Sequence, residues 1–153
     1  MKFFSSQFLF LGVLILPLLS HAGGKNPRTN EYVGATWAVE RTRLAAGSSG
    51  RLRFTLRPKK DIHINLRPPL SVSLEGDSSI TLTGDPKLSS VKKDTSEYLD
   101  ASKPVLQAFT LSRNARPGSA RITGTLTYFY CSDSEGWCSR FRQPFEAKVT
   151  VVK

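Results

Sequence analysis

Residues 121–152, RITGTLTYFYCSDSEGWCSRFRQPFEAKVTVV, decide the fold of this chain. Two runs of alternating apolar and polar residues flank the segment 133–136, DSEG. This segment suits a tight turn, because Asp is favoured at the first position of a turn and Gly at the last. The stretch therefore predicts a β-hairpin with strands at 121–131 and 138–152.

The turn also fixes the register of the hairpin. Ser132 is expected to face Trp137, and Cys131 to face Cys138, which brings the two sulfurs close enough for a disulfide. The cysteines then lie on the mainly polar face of the hairpin, which points outward. The opposite face collects the apolar side chains Ile122, Leu126, Tyr128, Tyr130, Phe141, Phe145 and Ala147.

The rest of the chain repeats the same period of two. No stretch has a convincing helical pattern, and turn signals rich in Gly, Pro and Asp separate the alternating runs. Together with the hairpin they make about eight short strands, which predicts an all-β fold, an antiparallel β-sandwich. The alternating runs lie at 33–39, 52–56, 62–66, 70–74, 80–82 and 105–111.

One connection is long and polar. Residues 87–103, KLSSVKKDTSEYLDASK, contain only four large apolar residues. Long loops of compact domains are often functional, so this segment is a candidate part of a site.

The first 22 residues predict a signal peptide. Lys2 supplies a positive start, and residues 8–19 form an apolar run of 12 residues, which suits a signal peptide and is short for a membrane span. Small residues at Ser20 and Ala22 favour cleavage after Ala22. Gly12 and Pro17 interrupt the run, which disfavours an uncleaved anchor.

Cleavage is expected to leave a flexible leader at 23–32 and a sandwich domain at 33–153. The protein is then periplasmic, with no transmembrane span in the mature chain. Such a compartment is oxidising, so Cys131 and Cys138 are expected to be paired at rest.

The chain is basic, with 22 Lys and Arg against 12 Asp and Glu. Arg51, Arg53 and Arg57 occupy the polar side of one alternating strand, which is typical of a solvated face, and export argues against nucleic acid as a partner. With the signal removed, His63 is the only histidine. No metal site and no cofactor are therefore expected.

The residues leave two interpretations of the disulfide open. As a structural clip, closing its eight-residue ring stabilises the fold by about 2.5 kcal/mol. As an exchangeable bond, its outward position beside Arg140 favours thiolate formation, although Asp133 and Glu135 act against it. The side chains expected beside the pair are Phe129, Trp137 and Arg140.

Three motifs carry a resemblance to a known family. They are the aromatic-rich hairpin at 128–138, the segment IHIN at 62–65 followed by PPL at 68–70, and KPV at 103–105. In these motifs the chain resembles the disulfide bond corrector family, the N-terminal periplasmic domain of the thiol:disulfide interchange protein DsbD. The resemblance covers nearly all of 33–153, with six residues between the cysteines where the family pattern has five.

The resemblance implies an immunoglobulin-like sandwich whose pair Cys131 and Cys138 is catalytic in thiol-disulfide exchange. The pair would accept electrons from a thioredoxin-like or membrane electron-donor protein and pass them to periplasmic disulfide-carrying proteins. A loop with an aromatic residue would cap the disulfide until a partner docks. By position, the loop at 87–103 would be this cap, with Glu97, Tyr98 and Leu99 as its site residues and Tyr98 as its aromatic residue.

Two functions are therefore expected. The first is a periplasmic thiol-disulfide exchange module that uses Cys131 and Cys138, as a component of thiol:disulfide interchange. The alternative is a non-catalytic exported binding or accessory domain with a structural disulfide.

Overall fold

The computed structural model describes residues 29–76, 79–91 and 97–153, which contain nine strands and no helix. The predicted signal peptide, its cleavage site after Ala22 and most of the predicted leader lie outside the described residues. The strands are β1 (Val33–Val39), β2 (Arg43–Ala45), β3 (Ser49–Pro58), β4 (Ile62–Ile64), β5 (Ser71–Glu75), β6 (Ile80–Lys87), β7 (Val105–Leu111), β8 (Gly118–Ser132) and β9 (Trp137–Val152).

The strands form two sheets. One has the order β1-β3-β7-β6, and the other has the order β2-β9-β8-β4, with β5 also paired to β8. β4 pairs with residues 130–132 of β8 and β5 with residues 123–127, so the two are halves of one interrupted strand.

This topology confirms the predicted all-β fold. The two sheet orders are those of an immunoglobulin-like sandwich, in which strands A, B, E and D face strands C, F and G. All pairings among these nine described strands are antiparallel, except the short parallel pairing of β2 with β9. β2 is the strand that the sequence did not predict, because its three residues, RLA, are too few to display a period of two.

Buried side chains from both sheets meet in one core. Alternate residues of β3 and β8 point into it, namely Leu52, Phe54, Leu56, Ile122, Leu126 and Tyr128. Phe54 of one sheet contacts Phe145 of the other, with ring centroids 5.0 Å apart and planes at 75°. Full burial of such a side chain stabilises a fold by about 1.5–3 kcal/mol. The apolar faces of the alternating strands therefore favour the packing of the two sheets against each other.

The register predicted for the hairpin is confirmed. β8 and β9 are paired from Gly118 opposite Val151 to Ser132 opposite Trp137, with Cys131 opposite Cys138. The apolar face of the hairpin lies in the core, and the cysteines point away from it.

The residues before β1 are tied to the core through Tyr128. Its hydroxyl accepts a hydrogen bond from Asn30 Nδ2 at 3.1 Å, and Asn30 Oδ1 accepts one from the Tyr32 N–H at 2.9 Å. Burial raises the pKa of Tyr128 to about 12. These bonds hold Tyr32 against Trp137, at the end of the sandwich where the disulfide lies; their ring centroids are 4.9 Å apart.

Candidate functional site

The disulfide lies at the tip of the β8–β9 hairpin. It joins Cys131 and Cys138, whose Cα atoms are 4.0 Å apart. Because the two residues are directly opposed across paired strands, the bond closes a small ring around the turn and does not link the two sheets. This differs from the core disulfide of immunoglobulin domains, which connects the sheets.

The two cysteines differ in exposure, which corrects the expectation that both are open on the outward face. Cys131 is 7% exposed, whereas Cys138 is exposed. β4 runs beside β8 at this end, and His63 lies opposite Cys131. On the other side, β2 covers β9 only at residues 150–152, so no described strand flanks Cys138.

Asn65 makes a direct contact with the covered sulfur. Its Nδ2 donates a hydrogen bond to Cys131 Sγ at 3.2 Å. Its Oδ1 is buried, and no group in the described part of the chain donates to it. Asn65 is the fourth residue of the segment IHIN and was not predicted to belong to the site. His63 and Asn65 alternate with Ile62 and Ile64, so they lie on the outward face with the cysteines. This alternation is the sequence pattern that could have indicated a place for Asn65 in the site.

The backbone of the predicted cap residues is hydrogen-bonded to the last residue of β4 and to the chain just after it. The Leu66 N–H donates to the Glu97 carbonyl at 2.7 Å, and the Leu99 N–H donates to the Ile64 carbonyl at 2.8 Å. Residues 92–96 of the same long loop lie outside the described residues. The segment 97–99 thus extends the sheet edge beside the disulfide.

The three side chains of this segment point to different places. Glu97 is exposed, Tyr98 is half-buried, and Leu99 is 5% exposed and lies in the core. Leu99 therefore anchors the segment, and Tyr98 is the side chain that it presents near the disulfide.

Tyr98 belongs to a cluster with His63 and Asp133. Its ring stacks on the His63 ring, with centroids 4.7 Å apart and planes at 21°. Asp133 accepts a hydrogen bond from the Tyr98 hydroxyl at 3.5 Å, and its other oxygen lies 3.2 Å from His63 Nε2. Both partners of that ion pair are well exposed, so it contributes only about 0–1 kcal/mol, and only when His63 is protonated. The cluster connects the 97–99 segment to the hairpin turn.

A cavity of about 400 Å³ opens beside the disulfide. Its walls include both cysteines together with Asn65, Tyr98 and Trp137. Its charged lining residues are Arg67, Glu97 and Asp133. Cys138, the exposed member of the pair, thus borders an open hollow with a mixed polar and aromatic lining.

The residues predicted beside the pair occupy different positions. Trp137 lines the cavity, packs against Tyr32 and Tyr130, and donates its indole N–H to Glu135. Phe129 is half-buried and faces the exposed Arg140 across the hairpin, two residues along each strand from the cysteines. Of the three, Trp137 is the one that shares the cavity with the disulfide.

The described residues contain no group of three or more His, Cys, Asp or Glu side chains arranged to hold a metal ion. Within the same residues, no helix is long and apolar enough to cross a membrane.

No family model and no curated protein matches this chain. One similar solved structure is the major subunit of aggregative adherence fimbriae type I from Escherichia coli, with a TM-score of 0.36, 10% identity and coverage of 83% of this chain and 99% of that one. Another is a family 123 glycoside hydrolase from Clostridium perfringens, also with a TM-score of 0.36 and 10% identity. That match covers 79% of this chain and 27% of the hydrolase. These similarities are too low to indicate a function.

Proposed function

We propose that this domain is a periplasmic thiol-disulfide exchange module that passes reducing equivalents through Cys131 and Cys138. The observation that carries the proposal is the unequal exposure of the two cysteines. Exchange requires that an attacking thiolate reach one sulfur of the bond, and the exposed Cys138 offers that sulfur beside an open cavity.

The exchange step is a direct displacement at sulfur. A thiolate of a partner dithiol protein attacks Cys138 Sγ and forms a mixed disulfide, while the Cys131–Cys138 bond breaks and its electron pair goes to Cys131. The second thiol of the partner then attacks the mixed disulfide, which leaves the partner oxidised and both cysteines of the domain reduced. The reverse sequence reduces a disulfide of another protein.

Partners of two kinds follow from this chemistry. The donor is a thioredoxin-like or membrane electron-donor protein, and the acceptors are periplasmic disulfide-carrying proteins. Trp137 and Tyr98 both line the cavity beside the disulfide, so a partner that enters it is expected to contact both.

The buried state of Cys131 favours a second candidate, a non-catalytic exported binding or accessory domain with a structural disulfide. In that case the bond only tightens the hairpin tip, by about 2.5 kcal/mol on the chain-entropy estimate. The two functions predict different reduction potentials, because structural disulfides of secreted proteins usually lie below about −300 mV.

The reduction potential of the pair is expected to lie above about −300 mV, in the range of labile disulfides. The measurement is equilibration of the mature domain with dithiothreitol buffers of graded ratio, with alkylation and mass spectrometry to count reduced protein. Circular dichroism of the reduced protein checks that the fold persists. A potential well below this value would favour the structural disulfide.

Tyr98→Ala is expected to speed reduction of the disulfide by dithiothreitol several-fold. The ring lines the cavity beside the pair, so its removal widens the approach to sulfur. Because Tyr98 is only half-buried, the loss in the free energy of unfolding should stay below the roughly 3–5 kcal/mol typical of a buried aromatic residue. Tyr98→Phe, which keeps the ring and loses the hydroxyl contact with Asp133, is the control and should react as the parent does. An unchanged rate in Tyr98→Ala would show that Tyr98 does not restrict access.

A further inference from the structure

We infer that Asn65 is a positioning residue for this exchange, whose amide N–H stabilises the thiolate that Cys131 becomes when Cys138 is attacked. The inference rests on the proposed function for its biological role. The interaction itself involves only Asn65 and Cys131, and it can be measured without a partner.

The position of Asn65 is fixed by its backbone. Its N–H donates to the Phe129 carbonyl of β8 at 2.9 Å, and the residue forms a β-bridge with Tyr98 on its other side. The side chain is thereby held against Cys131, with Nδ2 3.2 Å from Sγ, within hydrogen-bonding distance of sulfur.

The amide is not explained by a structural role. Buried amides in folded proteins normally have both their donor and their acceptor satisfied. Here Oδ1 is buried without a donor from any described residue, and the side-chain donor is directed at sulfur. A disulfide sulfur is a weak acceptor, so in the oxidised protein this arrangement brings little stability.

The bond gains strength as the exchange proceeds. When a partner thiolate attacks Cys138 Sγ, the bond between the cysteines breaks and its electron pair moves to Cys131 Sγ. A thiolate is a charged acceptor, and hydrogen bonds to charged groups are stronger than those between neutral groups. An interaction that strengthens as charge develops lowers the barrier to reaction, and a better-stabilised leaving thiolate departs faster.

Several charged or titratable side chains lie at the same end of the sandwich. His63 lies opposite Cys131 on β4, Arg67, Glu97 and Asp133 line the cavity, and Arg140 lies on β9. All of them are unchanged when only Asn65 is replaced. A comparison of Asn65 variants therefore isolates the contribution of the amide.

The test uses a Cys138→Ser background, in which Cys131 is the single thiol. The fraction of Cys131 present as thiolate is followed against pH by its ultraviolet absorbance, which does not depend on how accessible the sulfur is. Adding Asn65→Ala should lower the thiolate fraction at neutral pH by about 10-fold, the effect of losing one hydrogen bond to a charged group. Asn65→Asp should lower it further, because it replaces the donor by a negative charge at nearly the same shape.

Controls separate this effect from a loss of structure. Asn114→Ala, at an exposed position away from the disulfide, should leave the thiolate fraction unchanged. Thermal unfolding of each variant checks the fold, and Asn65→Asp serves as the near-isosteric test if Asn65→Ala folds poorly. In the intact pair, dithiothreitol should reduce Asn65→Asp about 10-fold more slowly than the parent.

Equal thiolate fractions in the parent background and both Asn65 variants would overturn the inference. Failure of the proposed function has a different signature. The pair would then have a low potential and accept no protein partner, while the thiolate fraction of Cys131 would still depend on Asn65.

Discussion

A Cys131→Ser variant is expected to trap a mixed disulfide through Cys138, and a Cys138→Ser variant is expected to trap almost none. The first variant keeps the exposed cysteine and lacks the residue that would release the partner. The second keeps only Cys131, which is 7% exposed, is flanked by β4 and accepts a hydrogen bond from Asn65. The measurement is incubation with a thioredoxin-like protein whose own resolving cysteine has been replaced, followed by non-reducing electrophoresis and mass spectrometry.

The double variant, with both cysteines replaced by serine, is the control for non-specific adducts. Equal trapping by the two single variants would contradict the assignment of Cys138 as the attacked sulfur. If neither single variant traps a mixed disulfide and the reduction potential lies below about −300 mV, the alternative function with a structural disulfide is favoured.

Gly124→Ala is expected to lower the free energy of unfolding by about 3 kcal/mol, at the upper end of the usual range for overpacking. Gly124 lies on β8 opposite Leu74, where β5 passes close to it. A Cβ at this position would overlap the Ser73 carbonyl oxygen and approach Phe145 Cζ to 2.8 Å. Either β5 must move away from β8 or the core ring must shift.

Gly34→Ala is the matched control, because Gly34 also lies within a strand. A Cβ there would meet Arg57 at 3.7 Å or more, an ordinary contact, so the variant should be as stable as the parent or slightly more so. Urea unfolding of both variants, with comparison of their midpoints and slopes, gives the measurement. Equal free energies of unfolding for the two variants would show that β5 adjusts to the added methyl group without a loss of stability.

The hairpin was predictable because its determinants are local. The turn at 133–136 fixes which residues face each other, and the period of two decides which face is apolar. The structure has this register along the whole of β8. The other long strands followed from the same alternation, whereas β2 did not, because its three residues are too few to display a period of two.

The cover over Cys131 was not predictable, because it comes from distant residues. Asn65 lies 66 positions before Cys131, and Tyr98 lies 35 positions before Asp133. Alternation along β8 and β9 assigns both cysteines to the outward face. It does not reveal that β4 flanks one strand of the hairpin at the tip while β2 leaves the other uncovered there.

The short distance along the chain between the cysteines also bears on the order of folding. The disulfide spans a separation of 7 residues, so the bond can close as soon as the hairpin tip forms. The residues that cover Cys131 lie in β4 and in the 97–99 segment, and they must pair with distant parts of the chain. This pairing closes much larger loops, so it is slower than formation of the hairpin tip. A chain that is still folding thus presents both sulfurs alike to oxidants and thiols, and only the completed sandwich makes one of them selectively reactive.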